Sequence, residues 1–186
     1  MRALFSLILI LLLVFVILVG GVLAILYVSF FNQTAAEYPF LNDASEIQSI
    51  EYAMFTYGDE GFVPEKVGIV LDPDSFMTEL KATDCHTGIS IGSFMDLVNG
   101  KPIKGVVINY NDGSFDFITP YFCINSQYNP KGVMDLLSTK IYGFDEEKFD
   151  LILEKHVYAV EIPEGWDGNI ENLPDGGIPD GLIPQN

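Results

Sequence analysis

Residues 3–31 are apolar almost without a break: only Ser6, Gly20, Gly21 and Ser29 interrupt the run, and no charge falls between Arg2 and Glu37. A bilayer core of ~30 Å takes about 20 helical residues, so the run is long enough to span with tilt. Tyr27, Phe30 and Phe31 would then sit in the far interface. Beyond residue 31 the pattern changes to short alternating and helical periods. Residues 47–57 (IQSIEYAMFTY) are rich in β-branched and aromatic side chains and predict a strand. A loop, GDEGFVPE, separates it from a second strand at residues 66–71.

Asp72-Pro73-Asp74-Ser75 has the signature of a helix start, with a capping acid, proline in the first turn and further negative charge near the dipole's positive end. Phe76, Met77 and Leu80 are its inward positions, and the pattern fades near Thr83. The segment IKGVVINYNDGSFDFIT predicts a hairpin. A two-residue turn at Asp112-Gly113 pairs Tyr110 with Phe115, Ile108 with Phe117 and Val106 with Thr119. That leaves one face apolar and puts Asn109, Asn111, Ser114 and Asp116 on the other. A three-residue turn would set Asp116 opposite Ile108, so alternation favours the shorter loop. Asn129-Pro130 opens another helix containing Val133, Met134, Leu136 and Leu137. Asp145-Glu146-Glu147 caps a further one with Phe149, Ile152 and Leu153 on one face and Lys155 and His156 at its C-terminal end. VYAVEI is the last strand.

Mixed strands and helices around an antiparallel hairpin predict a small α+β domain with about three to four short helices, preceded by one transmembrane helix. The expected organisation is an anchor at 1–31, a spacer at 32–46, the domain at 47–162 and a Pro/Gly-rich acidic tail at 163–186. A cleaved signal peptide is the rival to the anchor, with cleavage after Ala24; it would leave Ile25-Leu26-Tyr27-Val28 as a greasy new start. Gly20 and Ala24 form a small-xxx-small pair of the kind that lets helices pack closely.

Charge adds direction. All 26 acids lie beyond Phe31, against eight lysines there, a net of −18. Arg2 on one flank and acids on the other put the N-terminus in the cytoplasm and the domain outside, at the cell membrane. Such a domain repels phosphate backbones, which argues against nucleic acid, and favours a basic extracellular protein or an envelope polycation. In an oxidising space the only two cysteines, Cys85 and Cys123, read as a disulfide; in a reducing one they are two buried thiols.

Candidate chemistry is sparse. Gly88-Ile89-Ser90-Ile91-Gly92 matches the G-x-S-x-G elbow, but Thr83-Asp84-Cys85-His86-Thr87 precedes it where an apolar strand is needed, so a turn before SFMDLV is preferred. Asp84-Cys85-His86 sets a thiol beside an imidazole in sequence, and sequence neighbours point apart in a strand. Two His and two Cys lack the paired spacing of a zinc site. In the tail, Gly177-Ile178-Pro179-Asp180-Gly181 is similar to the closing half of thrombospondin type 3-like calcium repeats. The positions that should carry acids hold Asn172, Pro174 and Gly176 instead, so a solvated acidic tail is the reading. No catalytic residue, cofactor or metal is expected. The function expected is binding, sensing or assembly by a membrane-anchored extracytoplasmic module; the alternative is a small cell-surface hydrolase using Ser90 or Cys85 with His156 or His86.

Overall fold

The computed structural model describes residues 2–58, 61–129, 131, 135, 139–162 and 165. Helix α1 (Arg2–Phe31) is continuous over 30 residues. Its Ile8–Phe31 portion is long and apolar enough to cross a membrane, with a mean hydropathy of 3.4. The rest is α+β. Nine strands are β1 (Thr34–Ala36), β2 (Ile47–Gly58), β3 (Gly61–Val70), β4 (Cys85–Thr87), β5 (Ile103–Tyr110), β6 (Phe115–Ile118), β7 (Cys123–Asn125), β8 (Tyr142–Phe144) and β9 (Val157–Glu161). Among the described residues they are accompanied by α2 (Pro73–Lys81), α3 (Ile91–Val98) and α4 (Glu146–His156), with a 3-10 turn at Ala44–Glu46. The strands form one antiparallel sheet in the order β1-β4-β8-β7-β6-β5-β2-β3-β9.

The caps set the helices where the sequence puts them. Asp72 accepts from the Ser75 amide at 3.1 Å, and Asp145 from the Lys148 amide at 2.9 Å. Each satisfies a helix-start donor that would otherwise lack a partner. Phe76, Met77 and Leu80 of α2 and Phe149, Ile152 and Leu153 of α4 then close over one sheet face, against Ile50, Tyr52, Val106, Ile108, Tyr110 and Ile118. Alternation along the same strands sends Ala53, Phe55, Ile103 and Phe117 to the opposite face. There they meet Ile89, Tyr121, Phe122, Leu97 and the last residue of α1, Phe31.

Four sequence expectations are corrected. First, residues 32–46 are not a spacer. β1 pairs with β4 (Ala35 with His86, Ala36 with Cys85), and Tyr38 is buried in the main core. Second, the expected loop ahead of residue 66 is mostly strand. β3 begins at Gly61 opposite Gly58, and its register slips where Pro64 faces Phe55. A bulge there accommodates a residue that has no amide to donate.

Third, the β5–β6 hairpin takes the longer turn. Ile108 pairs with Asp116 and Asn109 with Phe115. Gly113 donates to the Tyr110 carbonyl at 3.0 Å, and Tyr110 to the Ser114 carbonyl at 2.9 Å. Gly113 has φ +81° while no non-glycine residue described has positive φ. A two-residue type I′ turn would need positive φ at Asp112 as well, whereas a type I turn followed by a left-handed glycine needs only Gly113. Asp116 therefore points into the core.

Fourth, Cys85 and Cys123 are free thiols. Cys85 pairs with Phe144 and Cys123 with Tyr142, so β8 lies between them. Two strand spacings, about 9–10 Å, and a two-residue offset along β8 put their backbones farther apart than the ~7 Å a disulfide bridges. Burial pushes the Cys85 thiol up to about 11 and raises that of Cys123 well above its ordinary value. Alkylating the denatured, unreduced chain is expected to add two labels by mass. No label would show that the pair has been oxidised.

The helix expected after Asn129-Pro130 falls almost wholly outside the described residues, and the tail from residue 163, with its calcium-like motif, does so apart from Gly165.

Candidate functional site

Two adjoining clefts open along the β1–β4 edge of the sheet. The larger, about 870 Å³, is framed by the chain from Ala35 to Asp43 and by Glu46, Lys81, Asp84, Cys85 and Phe144. Glu37, Asp43, Glu46 and Asp84 are exposed at its border. The cation there, Lys81, holds its ammonium 5.5 Å from the centre of the Phe40 ring. Asp84 is ion-paired with Lys148. The cleft exists because the segment after β1 cannot leave the domain: Tyr38 dives into the core and draws the flanking acids around the opening.

What holds Tyr38 down is Asp116, the residue the longer hairpin turn buries. Its carboxyl accepts from the hydroxyls of Tyr38 at 2.8 Å and Tyr110 at 2.7 Å, from the Leu41 amide at 3.2 Å and from the Asn125 side chain at 3.1 Å. Four donors and no acceptor match the inventory of an ionised carboxylate. Burial, and then the neighbouring Asp116, raise the pKa of both tyrosines well above the ordinary phenol. Sequence reasoning missed this knot. Its one local signal was an acid set among apolar residues in FDFI.

The smaller cleft, about 420 Å³, brings together Cys85, His86, Ser90, Tyr121, Asp145 and Glu146. Here the residues singled out for nucleophilic chemistry do share a space. Ser90 is the N-cap of α3, accepting from the Ser93 amide at 2.9 Å and bonding the Ser93 hydroxyl at 2.7 Å. The turn expected before SFMDLV is present, and the three-residue strand β4 ends at Thr87, short of the serine. Burial lowers the His86 pKa, with the charge of Asp145 opposing it. Tyr121 donates to Glu146 at 2.8 Å and Lys101 donates to the same oxygen at 2.7 Å. Burial first, and then Glu146, push the Tyr121 hydroxyl up to about 12.

His156 is not part of this group. It lies at the C-terminal end of α4, its Nε2 3.3 Å from Glu79 and its ring edge-on to Phe76 at 6.0 Å. Asp145 and Glu146 are at the helix's other end, about 16 Å away by helical rise, so His156 cannot serve Ser90. Glu79 also pairs with Lys155, and that contact, ahead of His156, lowers its pKa. Among the described residues no group of three or more His, Cys, Asp or Glu could hold a metal ion. No family model, no curated protein and no solved structure matches this chain.

Proposed function

We propose that the chain is a membrane-anchored extracytoplasmic binding module whose acidic cleft receives a basic segment of an envelope protein or polycation. The carrying observation is the border of the larger cleft, where Glu37, Asp43 and Glu46 outnumber Lys81 while Asp84 is paired with Lys148. A recess edged by one sign of charge concentrates field lines and speeds encounter with the opposite sign. The orientation rests on Arg2 before the apolar run and acids after it. A small hydrolase on Ser90 or Cys85 is the weaker reading. The serine hydroxyl is engaged in capping α3, and the buried thiol, pushed up to about 11, is protonated at neutral pH.

The full chain in bilayer discs is the material for the test, with oligolysine as the probe. Association is expected to slow about tenfold or more between 0.1 M and 1 M salt, as screening shortens from ~10 Å to ~3 Å. Combining Glu37→Gln, Asp43→Asn and Glu46→Gln should reduce the low-salt rate toward the high-salt one. Neutralising Glu147, Glu154 and Glu161, which lie elsewhere, should reduce it much less. Equal effects from the two sets would remove the cleft from the account; salt-independent binding would remove the electrostatics.

A further inference from the structure

We propose that α3 lies in the membrane interface, with its apolar face inserted among lipid acyl chains beside the point where α1 leaves the bilayer. The proposal rests on the reading of α1 as a membrane anchor.

Ile91, Phe94, Met95 and Val98 follow the i, i+3, i+4, i+7 spacing of one helical face. That pattern ordinarily marks the side turned to a protein core. Here it is turned outward: the four are 57%, 44%, 47% and 58% exposed, and no residue of α3 is buried. The helix rests on the domain by its other side, through Leu97, which packs against the second core cluster. Next to Val98 the apolar surface continues into a recess of about 210 Å³ lined by Tyr57, Leu97, Val98, Ile103 and Phe122. A contiguous face of this kind marks a surface that something covers.

The neighbouring anchor identifies what covers it. Phe31 closes the apolar span, and its ring meets Phe94 edge-on at 5.8 Å. The Ile89 amide donates to the Phe30 carbonyl at 2.7 Å. Gly88 has φ +81°, and a Cβ there would come within 3.0 Å of the Asn32 carbonyl oxygen, so the two segments touch backbone to backbone. The first residues of α3 are thereby fixed at the depth where the span ends. Tyr27 stands one turn back on α1, its ring 6.1 Å from Phe31, as an interfacial aromatic would. The charged group on α3 itself, Asp96, is paired at 3.2 Å with Lys101, which it shares with Glu146. An apolar face at that depth is the chemistry of a helix lying in the plane of the interface. Because the domain is strongly acidic, the attachment is apolar insertion and does not require anionic lipid.

The arrangement also fixes the smaller cleft. Ser90 lines it and caps α3, so that cleft opens close to the bilayer surface rather than at the end of a tether.

The test uses the full chain with Trp166→Phe, which removes the only tryptophan, and a single tryptophan introduced at each of four positions. Reconstitution is into phosphatidylcholine vesicles with and without brominated acyl chains. Fluorescence from Val16→Trp, Phe94→Trp and Met95→Trp is expected to fall about twofold or more in the brominated vesicles, as buried indoles do, while Leu151→Trp on α4 is unchanged. Quenching at Val16 but not at Phe94 or Met95 would overturn the proposal with the anchor intact, and would mean that protein, such as a second copy of this chain, covers the face. Quenching at Leu151 as well would overturn the assignment to α3. No quenching at Val16 would remove the anchor and this proposal together.

Discussion

Asp116→Ala is expected to lower the unfolding free energy by about 3–5 kcal/mol, the scale for breaking a buried charged network from one side. The substitution leaves the hydroxyls of Tyr38 and Tyr110 without their acceptor in a site where Tyr110 and Asp116 are both 0% exposed. It also releases the Leu41 amide and the Asn125 side chain. Asp116→Asn keeps the shape but turns one acceptor into a donor facing donors, so a smaller loss of about 2 kcal/mol is expected. Tyr110→Phe removes one donor and should cost about 1 kcal/mol. Urea unfolding of the full chain in detergent measures all three. The order alanine, asparagine, phenylalanine is the signature, and an alanine variant within ~1 kcal/mol of the native chain would deny Asp116 its structural role. The tyrosines add a pH dependence. Unfolded, they release protons near the ordinary value of 10.0, whereas folded they hold them to higher pH. The unfolded state then binds fewer protons, so this stability is full below pH 10 and falls as pH rises beyond it.

The elements legible in the sequence are those whose signals are local. Asp72 and Asp145 cap helices because the donors they satisfy lie three residues away, and α2 and α4 bury the residues their periods select. Strands β1, β4, β7 and β8 have three residues each, too few for alternation to register. Their partners supply the order. The hairpin register failed for a related reason. Alternation assigns an acid to the wet face unless buried donors await it, and the donor from Tyr38 arrives from 78 residues away. The candidate site was legible as residue types only. Cys85, His86 and Ser90 do meet in one cleft, but the capping of α3 by Ser90 and the removal of His156 to the far end of α4 depend on how the helices pack. In α3 only the turn before SFMDLV was read; a face of four apolar residues over eight positions is too short to say what it meets.

A fragment beginning at Ile47, where the sequence places the start of the domain, is expected not to fold, whereas one beginning at Asn32 is expected to fold cooperatively. The segment between carries the β1 ladder with β4, the buried Tyr38 and the partly buried Phe40 and Leu41. The Tyr38 ring alone meets Phe40 at 4.9 Å and Tyr142 at 5.5 Å. Removing such an aromatic from a core costs about 3–5 kcal/mol. Withdrawing the Tyr38 hydroxyl and the Leu41 amide strips Asp116 of two of its four donors, at roughly 1–3 kcal/mol each. Together these approach the whole stability of an ordinary domain, about 5–15 kcal/mol. Loss of β1 also uncovers β4, a short strand whose other neighbour is the equally short β8. Circular dichroism and urea melts of fragments 32–186 and 47–186 make the comparison. A cooperative melt from 47–186 would restore residues 32–46 to the role of spacer. Failure of both fragments would place the missing stability in α1, where Phe31 packs into the second core cluster, and would show that the anchor and the domain fold as one unit.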